Sequence, residues 1–181
     1  MSSLKNPVLD AIKGRRSIYR FKPDPIPDEK IEAILEAGRW APSWTNAQPW
    51  RFIVVRDPER KRRLTEAAAT ITGVGIGEAP VVVAVIADPR VDPYHYVEDC
   101  AAATLNMALA AHSLGLSSFW VGVFDITGEK GSSEDRIKEI LGVPETLRVI
   151  SMLPVGVAGM SPVKSRKPLS EMVYKESYGR T

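Results

Sequence analysis

The apolar run VVVAVIA, at residues 81–87, is the sequence feature that most constrains the fold. Its length is far below the roughly 20 residues that a membrane-spanning helix needs, so it predicts a buried strand over residues 80–86 instead. Such a strand needs a core around it, and 181 residues, 44% of them hydrophobic and 25% charged, are enough to build one. Disordered, collagen-like and coiled-coil chains are excluded as overall descriptions.

Helical and extended patterns alternate along the rest of the chain, which predicts an α/β or α+β fold in one domain over residues 1–181. Helices are predicted at 6–14, 28–40, 57–69, 96–114 and 132–141. Strands are predicted at 51–56, 80–86, 119–124 and 147–157. The expected cap residues are Asn6 before Pro7, Asp28, Ser132 or Ser133, and Gly115.

Residues 158–181 form a polar C-terminal arm that is interrupted by Pro162 and Pro168. The arm is too short to fold alone, yet it carries apolar side chains that need cover. It therefore packs either on its own domain or on a second subunit, and the residues alone leave both possibilities open. The apolar side chains are Leu169, Met172 and Val173.

Composition excludes several classes of function. A net charge of +2 is too small to predict binding to nucleic acid or to an anionic membrane. One cysteine and two histidines exclude an internal disulfide and a usual zinc site. His95, Asp99 and His112 lie near no G-x-S-x-G serine, so no catalytic triad is predicted, and Cys100 is interpreted as a core residue. The N-terminal sequence lacks an apolar signal region, so we expect a soluble cytoplasmic protein.

Two adjacent arginines and a serine follow the first predicted helix. Arg15, Arg16 and Ser17, with Arg20 close behind, offer planar forks of donors and a hydroxyl group. Such groups suit a dianionic phosphate or a row of polyol hydroxyls. A solvated basic turn is the alternative interpretation, and the residues alone do not exclude it.

The loop at residues 41–50, APSWTNAQPW, combines polar side chains with two tryptophans. Flat aromatic walls next to amide and hydroxyl groups suit a planar heterocycle with imide-like edges. The alternative is a rigid surface loop whose tryptophans cover the core. The polar residues are Ser43, Thr45, Asn46 and Gln48, and the aromatic ones are Trp44 and Trp50.

Three further patterns are less specific. The glycines at 73–77 (GVGIG) precede a strand and break the G-x-G-x-x-G spacing, so they predict a flexible loop and not a dinucleotide site. Gly122, after Trp120 and Val121, permits close approach of a ligand to the backbone, or simply marks a bulge. The cations Lys164, Arg166 and Lys167 in the arm are typical of a solvated basic tail.

Together and in order, these segments resemble the FMN-dependent nitroreductase family over nearly the whole chain. The segments that carry the resemblance are RRSIYRF, APSWTNAQPWRFIVV, EAPVVVAVIAD, AAHSLGLSSFWVG, and LPVGVA followed by KSRKPL. The resemblance implies an α+β three-layer sandwich, with a mostly antiparallel sheet flanked by helices. It also implies a homodimer that exchanges its C-terminal arms (158–181) and holds two FMN molecules at the interface.

The resemblance assigns roles to individual residues, none of them a catalytic side chain or a metal ligand. The family pattern R-R-S-x-R-x-F has a basic residue where this chain has Tyr19. The residues implied to bind the FMN phosphate and ribityl chain are Arg15, Arg16 and Ser17, with Lys164 and Arg166 closing on the phosphate. Those implied to contact the flavin from the partner chain are Pro42, Ser43, Trp44, Asn46 and Gln48, while the backbone of Val121 and Gly122 lies against the N5 edge.

The activity implied is that of an FMN-dependent NAD(P)H oxidoreductase. Hydride would pass from NADH or NADPH to flavin N5, and then by ping-pong exchange to a small-molecule acceptor such as a nitroaromatic or a quinone. Dehalogenation, azoline oxidation and flavin fragmentation are alternative FMN chemistries on the same scaffold. An FMN-binding regulatory or storage module without turnover is an alternative of a different class.

Overall fold

A computed structural model describes residues 6–72, 74–163 and 165–180. The apolar run forms strand β2 (Val81–Ala87), which lies inside an antiparallel sheet. The sheet has the order β1 (Trp50–Val55), β2, β5 (Arg148–Gly156) and β3 (Ser117–Ser118), and β4 (Val121–Gly122) pairs with β5 as well. The fold is therefore α+β, as the family resemblance implies. The helices are α1 (Pro7–Gly14), α2 (Asp28–Arg39), α3 (Pro58–Ala67), α4 (Tyr96–Ser113) and α5 (Ser133–Leu141).

Strand β2 is apolar along its whole length because helices cover both faces of the sheet. Successive side chains of a strand point to opposite faces, and every residue of β2 is buried. Val81, Val83 and Val85 pack with α2 and α4 in one core, whereas Val82, Ala84 and Ile86 pack with α3 and α5 in the other. These two cores make the three layers of the sandwich.

The third strand differs from the prediction of a single element over 119–124. Two strands of two residues, β3 and β4, replace it, and both pair with β5. Pro154 of β5 lies opposite the break between them, and a proline has no N–H to donate to the ladder. Phe119, within the break, is buried against the rings of Tyr19 and Phe21.

Most predicted caps are confirmed. The Asn6 side chain accepts hydrogen bonds from two N–H groups of the first turn of α1, and Ser132 accepts one at the start of α5. Gly115 has a φ of 76° and donates its N–H to His112 in a C-terminal cap of α4. Asp28 is not an N-cap: it is the first helical residue, and its carboxylate pairs with Arg56.

The glycine segment at 73–77 is a loop, as predicted, over the residues that the structure describes. Gly73 lies outside the described residues. Ile76 is fully buried, and Gly75 has a φ of 91°. A Cβ built on Gly75 would lie 2.8 Å from both the carbonyl oxygen of Tyr19 and the ring of Phe119. The segment is therefore packed against the chain that follows α1.

The arm leaves the domain after two contacts. Ala158 bridges to Phe21, and the N–H of Gly159 donates to the carbonyl of Arg20. Beyond this point the apolar side chains Val163 and Leu169 are 99% and 74% exposed, so they do not pack on the described part of their own chain. Among the described residues, no helix has the length and apolar character that crossing a membrane requires.

We predict that Gly75→Ala destabilises the protein more than Gly128→Ala does. Both positions have a positive φ, so each substitution incurs backbone strain of about 1–2 kcal/mol. Gly128 has open space around it, so strain is the only loss of stability expected there. At Gly75 the added methyl group also overpacks against Tyr19 and Phe119, which costs about 1–3 kcal/mol more. Urea denaturation at equal protein concentration measures both, and equal losses would contradict the packing described for Gly75.

Candidate functional site

Arg15, Arg16 and Ser17 lie where the chain leaves α1 and reaches the edge of the sheet. The N–H of Arg15 donates to Ala11 and ends the helix. Ser17 forms a parallel bridge with Ser118 of β3, and the neighbouring Ile18 N–H donates to the Ser118 carbonyl at 3.1 Å. Because β3 and β4 are separated by only two residues, the three candidate residues lie beside the strand segment that leads to β4.

Arg15 and Arg16 have no acidic partner within the described part of the chain. Arg15, Arg16 and Arg148 are the half-buried arginines among the described residues, and of these only Arg148 has a carboxylate within ion-pair distance. The Arg16 guanidinium donates from one nitrogen to the carbonyls of Lys13 and Arg15, which leaves its remaining N–H groups free of described partners. Half-buried cations without a counter-charge favour an anionic ligand.

Arg20 and Tyr19 are directed elsewhere. The Arg20 guanidinium is exposed and pairs with Glu78. The Tyr19 ring packs on Phe119 with 4.9 Å between ring centroids. The chain therefore places a packed aromatic ring, and no cation, where the family pattern has its later basic residue.

The loop at residues 42–48 is strained. Thr45, Asn46 and Gln48 have φ angles of 48°, 61° and 51°, in the left-handed region. This conformation is rare for residues other than glycine and especially for a β-branched threonine. Hydrogen bonds within the loop stabilise this strained conformation. The Gln48 N–H donates to Ser43 Oγ, and the Gln48 side-chain amide donates to the Asn46 carbonyl. Backbone strain of this kind concentrates at ligand-binding and catalytic sites.

The same loop is fastened to the first turn of α4. The Trp44 N–H donates to the carboxylate of Asp99, at 3.1 and 3.3 Å from its two oxygens. Burial raises the pKa of Asp99, while the hydrogen bond from Trp44 opposes that shift. The Trp44 indole is 57% exposed and stacks on the His95 ring. Pro42, Asn46 and Gln48 are exposed as well, and Ser43 is half-buried.

Val121 and Gly122 form β4 at the edge of β5. The Val121 side chain is buried, whereas Gly122 is exposed, and a Cβ built on Gly122 would meet no atom within 4 Å. The absence of a side chain and the open space beside it allow a flat ligand to approach the backbone here.

The arm residues do not join this group in the described part of the chain. Arg166 is exposed and donates to the carbonyl of its neighbour Ser165. Lys164 lies outside the described residues. Within the described residues, no hydrogen bond or ion pair links Arg166 to residues 15–17.

The two halves of the candidate site lie at opposite ends of α4. Gly14, just before Arg15, lies against the His112 ring near the C-terminal end of the helix. Trp44 is bonded to Asp99 in the first turn. His112 follows Asp99 by thirteen positions in α4, which corresponds to about 20 Å of helix. Within one chain, Arg15–Ser17 and the 42–48 loop are therefore far apart.

Sequence reasoning missed the residues that support Trp44. The His95 ring stacks under the Trp44 indole, and the buried carboxylate of Asp92 lies 3.3 Å from the Nδ1 of that ring. No sequence motif marks either residue. Cys100 is buried as predicted, and burial raises the pKa of its thiol to about 12. No group of three or more His, Cys, Asp or Glu side chains that could hold a metal ion occurs within the ranges 6–72, 74–163 and 165–180.

We predict that Asp99→Ala releases the 42–48 loop. A hydrogen bond to a charged group contributes about 1.5–3 kcal/mol, so its loss should speed exchange of the Trp44 amide hydrogen about tenfold to a hundredfold. Asp99→Asn keeps an acceptor oxygen and serves as the matched control. Wild-type exchange of this amide in Asp99→Ala would contradict the role given to the carboxylate.

The chain is similar to known proteins over most of its length. The sequence model of the Nitroreductase family matches residues 12–73 and 69–157. A protein of Archaeoglobus fulgidus, provisionally named NADH dehydrogenase/NAD(P)H nitroreductase, is 42% identical over 154 residues, which cover 82% of this chain and 83% of that protein.

Two solved structures extend the likeness to three dimensions. The FMN-dependent nitroreductase of Clostridium difficile R20291 superposes with a TM-score of 0.81 at 30% identity, covering 94% of this chain and 97% of that one. The NADPH:FMN oxidoreductase of Vibrio harveyi, solved with NAD⁺, gives a TM-score of 0.81 at 25% identity, covering 97% of this chain and 80% of that one. The chain belongs to the Nitroreductase family.

Proposed function

We propose that this chain is an FMN-dependent NAD(P)H oxidoreductase that reduces a small-molecule acceptor such as a nitroaromatic or a quinone. The observation that carries the proposal is a pair of half-buried arginines beside Ser17, Arg15 and Arg16, for which the described residues provide no carboxylate partner. The names of the relatives, which include FMN and NAD(P)H, support the same cofactor and donor.

The described residues fit FMN at both of its ends. A phosphate dianion matches two guanidinium groups and a hydroxyl group, since arginine binds phosphate through parallel N–H donors. Lys164 and Arg166 of the arm complete the phosphate site in this proposal. The open space beside Gly122 accepts the edge of a flat ring, which lies against the backbone of Val121 and Gly122. FMN, when bound, supplies two-electron chemistry between NAD(P)H and an oxidised acceptor.

The residues of the chain bind and orient, and no side chain is required as a nucleophile. Arg15 and Arg16 hold the phosphate, and this contact fixes the position of the ligand along the edge of the sheet. The exposed position of Gly122 leaves one face open, so donor and acceptor use that face in turn, which is ping-pong exchange.

The site belongs to a homodimer in this proposal. The 42–48 loop, with Pro42, Ser43, Trp44, Asn46 and Gln48, reaches the flavin of the partner chain. The exposed apolar side chains of the arm support its exchange between the two subunits of a single-domain protein.

We predict that the purified protein has a flavin absorption spectrum that bleaches on anaerobic addition of NADH or NADPH. A flavin spectrum that neither donor bleaches would contradict turnover and favour an FMN-binding module. The absence of flavin, even after incubation with FMN, would contradict the cofactor.

Arg15→Ala tests the phosphate site within the same experiment. Loss of a charge-assisted contact of about 1.5–3 kcal/mol weakens FMN binding about tenfold to a hundredfold. Arg60→Ala is the matched control, because it removes an arginine that is exposed on α3. Equal flavin retention by the two variants after desalting would contradict the assignment of Arg15.

A further inference from the structure

Trp44 presents one flat face outward and rests on a second ring. Its indole lies 4.3 Å from the His95 ring, centroid to centroid, with 22° between the planes. The indole is 57% exposed, so its outer face has no cover among the described residues. An exposed aromatic face of this kind is a platform for another planar ring.

His95 is in turn fixed from below by a buried carboxylate. Asp92 is 4% exposed, and its Oδ1 accepts hydrogen bonds from the N–H groups of Tyr94 and His95. Its Oδ2 and the Nδ1 of His95 are both buried and have no other hydrogen-bond partner in the described residues. These two atoms lie 3.3 Å apart. A proton on Nδ1 would serve both atoms at once, which sets the orientation of the ring.

The surroundings keep Asp92 ionised. Burial would raise its pKa, but the two backbone N–H groups and the nearby imidazole outweigh that effect, so the pKa lies below its ordinary value. Asp99 and Glu98, in the first turn of α4, are the other acidic groups near this ring pair. An anionic Asp92 is the form that accepts a hydrogen bond from His95.

We propose that His95, oriented by Asp92, is a positioning residue that holds the Trp44 indole so that its outer face stacks on a planar aromatic electron acceptor. This inference rests on the proposed function for its acceptor, and it concerns how the chain holds the flat ring of that acceptor. The strained backbone at Thr45 and Asn46 and the bond from Trp44 to Asp99 hold the same indole from its backbone side.

The first test measures whether His95 holds the indole, and it needs no turnover. Near-ultraviolet circular dichroism spectra are recorded for the purified full-length protein and for its Trp44→Phe variant. The difference between the two spectra isolates the signal of the Trp44 indole, and the same pair of spectra is recorded for each His95 variant. His95→Ala should abolish that difference signal because the indole becomes mobile. His95→Phe should preserve it because the stacked ring remains. An unchanged difference signal in His95→Ala would overturn the positioning role.

The second test measures the acceptor. Equilibrium dialysis with a naphthoquinone requires no electron donor, and His95→Ala should raise its Kd about threefold to tenfold, the equivalent of one aromatic contact. His95→Phe should restore the wild-type Kd, and Asp92→Asn should shift it in the same direction as His95→Ala. Trp40→Ala is the matched control, because it removes an exposed ring that pairs with neither the Trp44 ring nor the His95 ring among the described residues.

Steady-state kinetics separate this inference from the proposed function. In His95→Ala the KM for the naphthoquinone should rise by the same factor as its Kd, whereas the KM for ferricyanide, which has no flat ring, should keep its wild-type value. Equal changes for both acceptors, or an unchanged Kd, would overturn the inference. If NADH and NADPH both fail to support turnover, the proposed function fails, while the dialysis and dichroism results still decide the role of His95.

Discussion

The pairing of β2 with β5, covered by helices on both faces, is the interaction on which the rest of the structure depends. Each residue of β2 is buried, and alternate side chains supply the two cores. The sheet fixes α4 on one side, where Thr104 shares a hydrogen bond with Ser151 of β5 at 2.7 Å. Arg15–Ser17 and Val121–Gly122 lie along the edge of this sheet, and the 42–48 loop is bonded to α4.

A continuous helix, α4, separates the two halves of the candidate site within one chain. Arg15–Ser17 and the 42–48 loop are each held in place, the first by β3 and the second by Asp99. Because α4 is continuous between them, a small motion does not bring the two groups of one chain together. In the homodimer that we propose, the loop of one chain lies against the arginines of the other.

Much of the fold could be predicted because local rules were decisive. The uninterrupted run of β2, the Asn6 and Ser132 caps and the Gly115 terminus depend on residues close in sequence. The third strand was mispredicted because the residue that interrupts it, Pro154, belongs to a distant strand. Asp28 failed as a cap because a tertiary partner, Arg56, attracts its carboxylate.

The candidate site was predictable to a different extent. Arg15, Arg16 and the 41–50 loop stand out by composition, but the strain at Thr45 and the absence of a counter-charge exist only in three dimensions. Asp92 and His95 carry no motif at all, since their role arises from a ring stacked on a loop some fifty residues earlier in the chain. Sequence patterns therefore mark the candidate binding residues, whereas the residues that position them carry no such mark.

Subunit complementation is the measurement that tests the shared site most directly. One chain carries Arg15→Ala with Arg16→Ala, its partner carries Trp44→Ala with Asn46→Ala, and two different tags isolate the mixed dimer after coexpression. If each site combines residues of both chains, one site of the mixed dimer is intact and the other carries all four changes, so about half of the wild-type FMN content and activity returns. If each site lies within one chain, every site carries one defective half, and no recovery above the two parent variants would contradict the account.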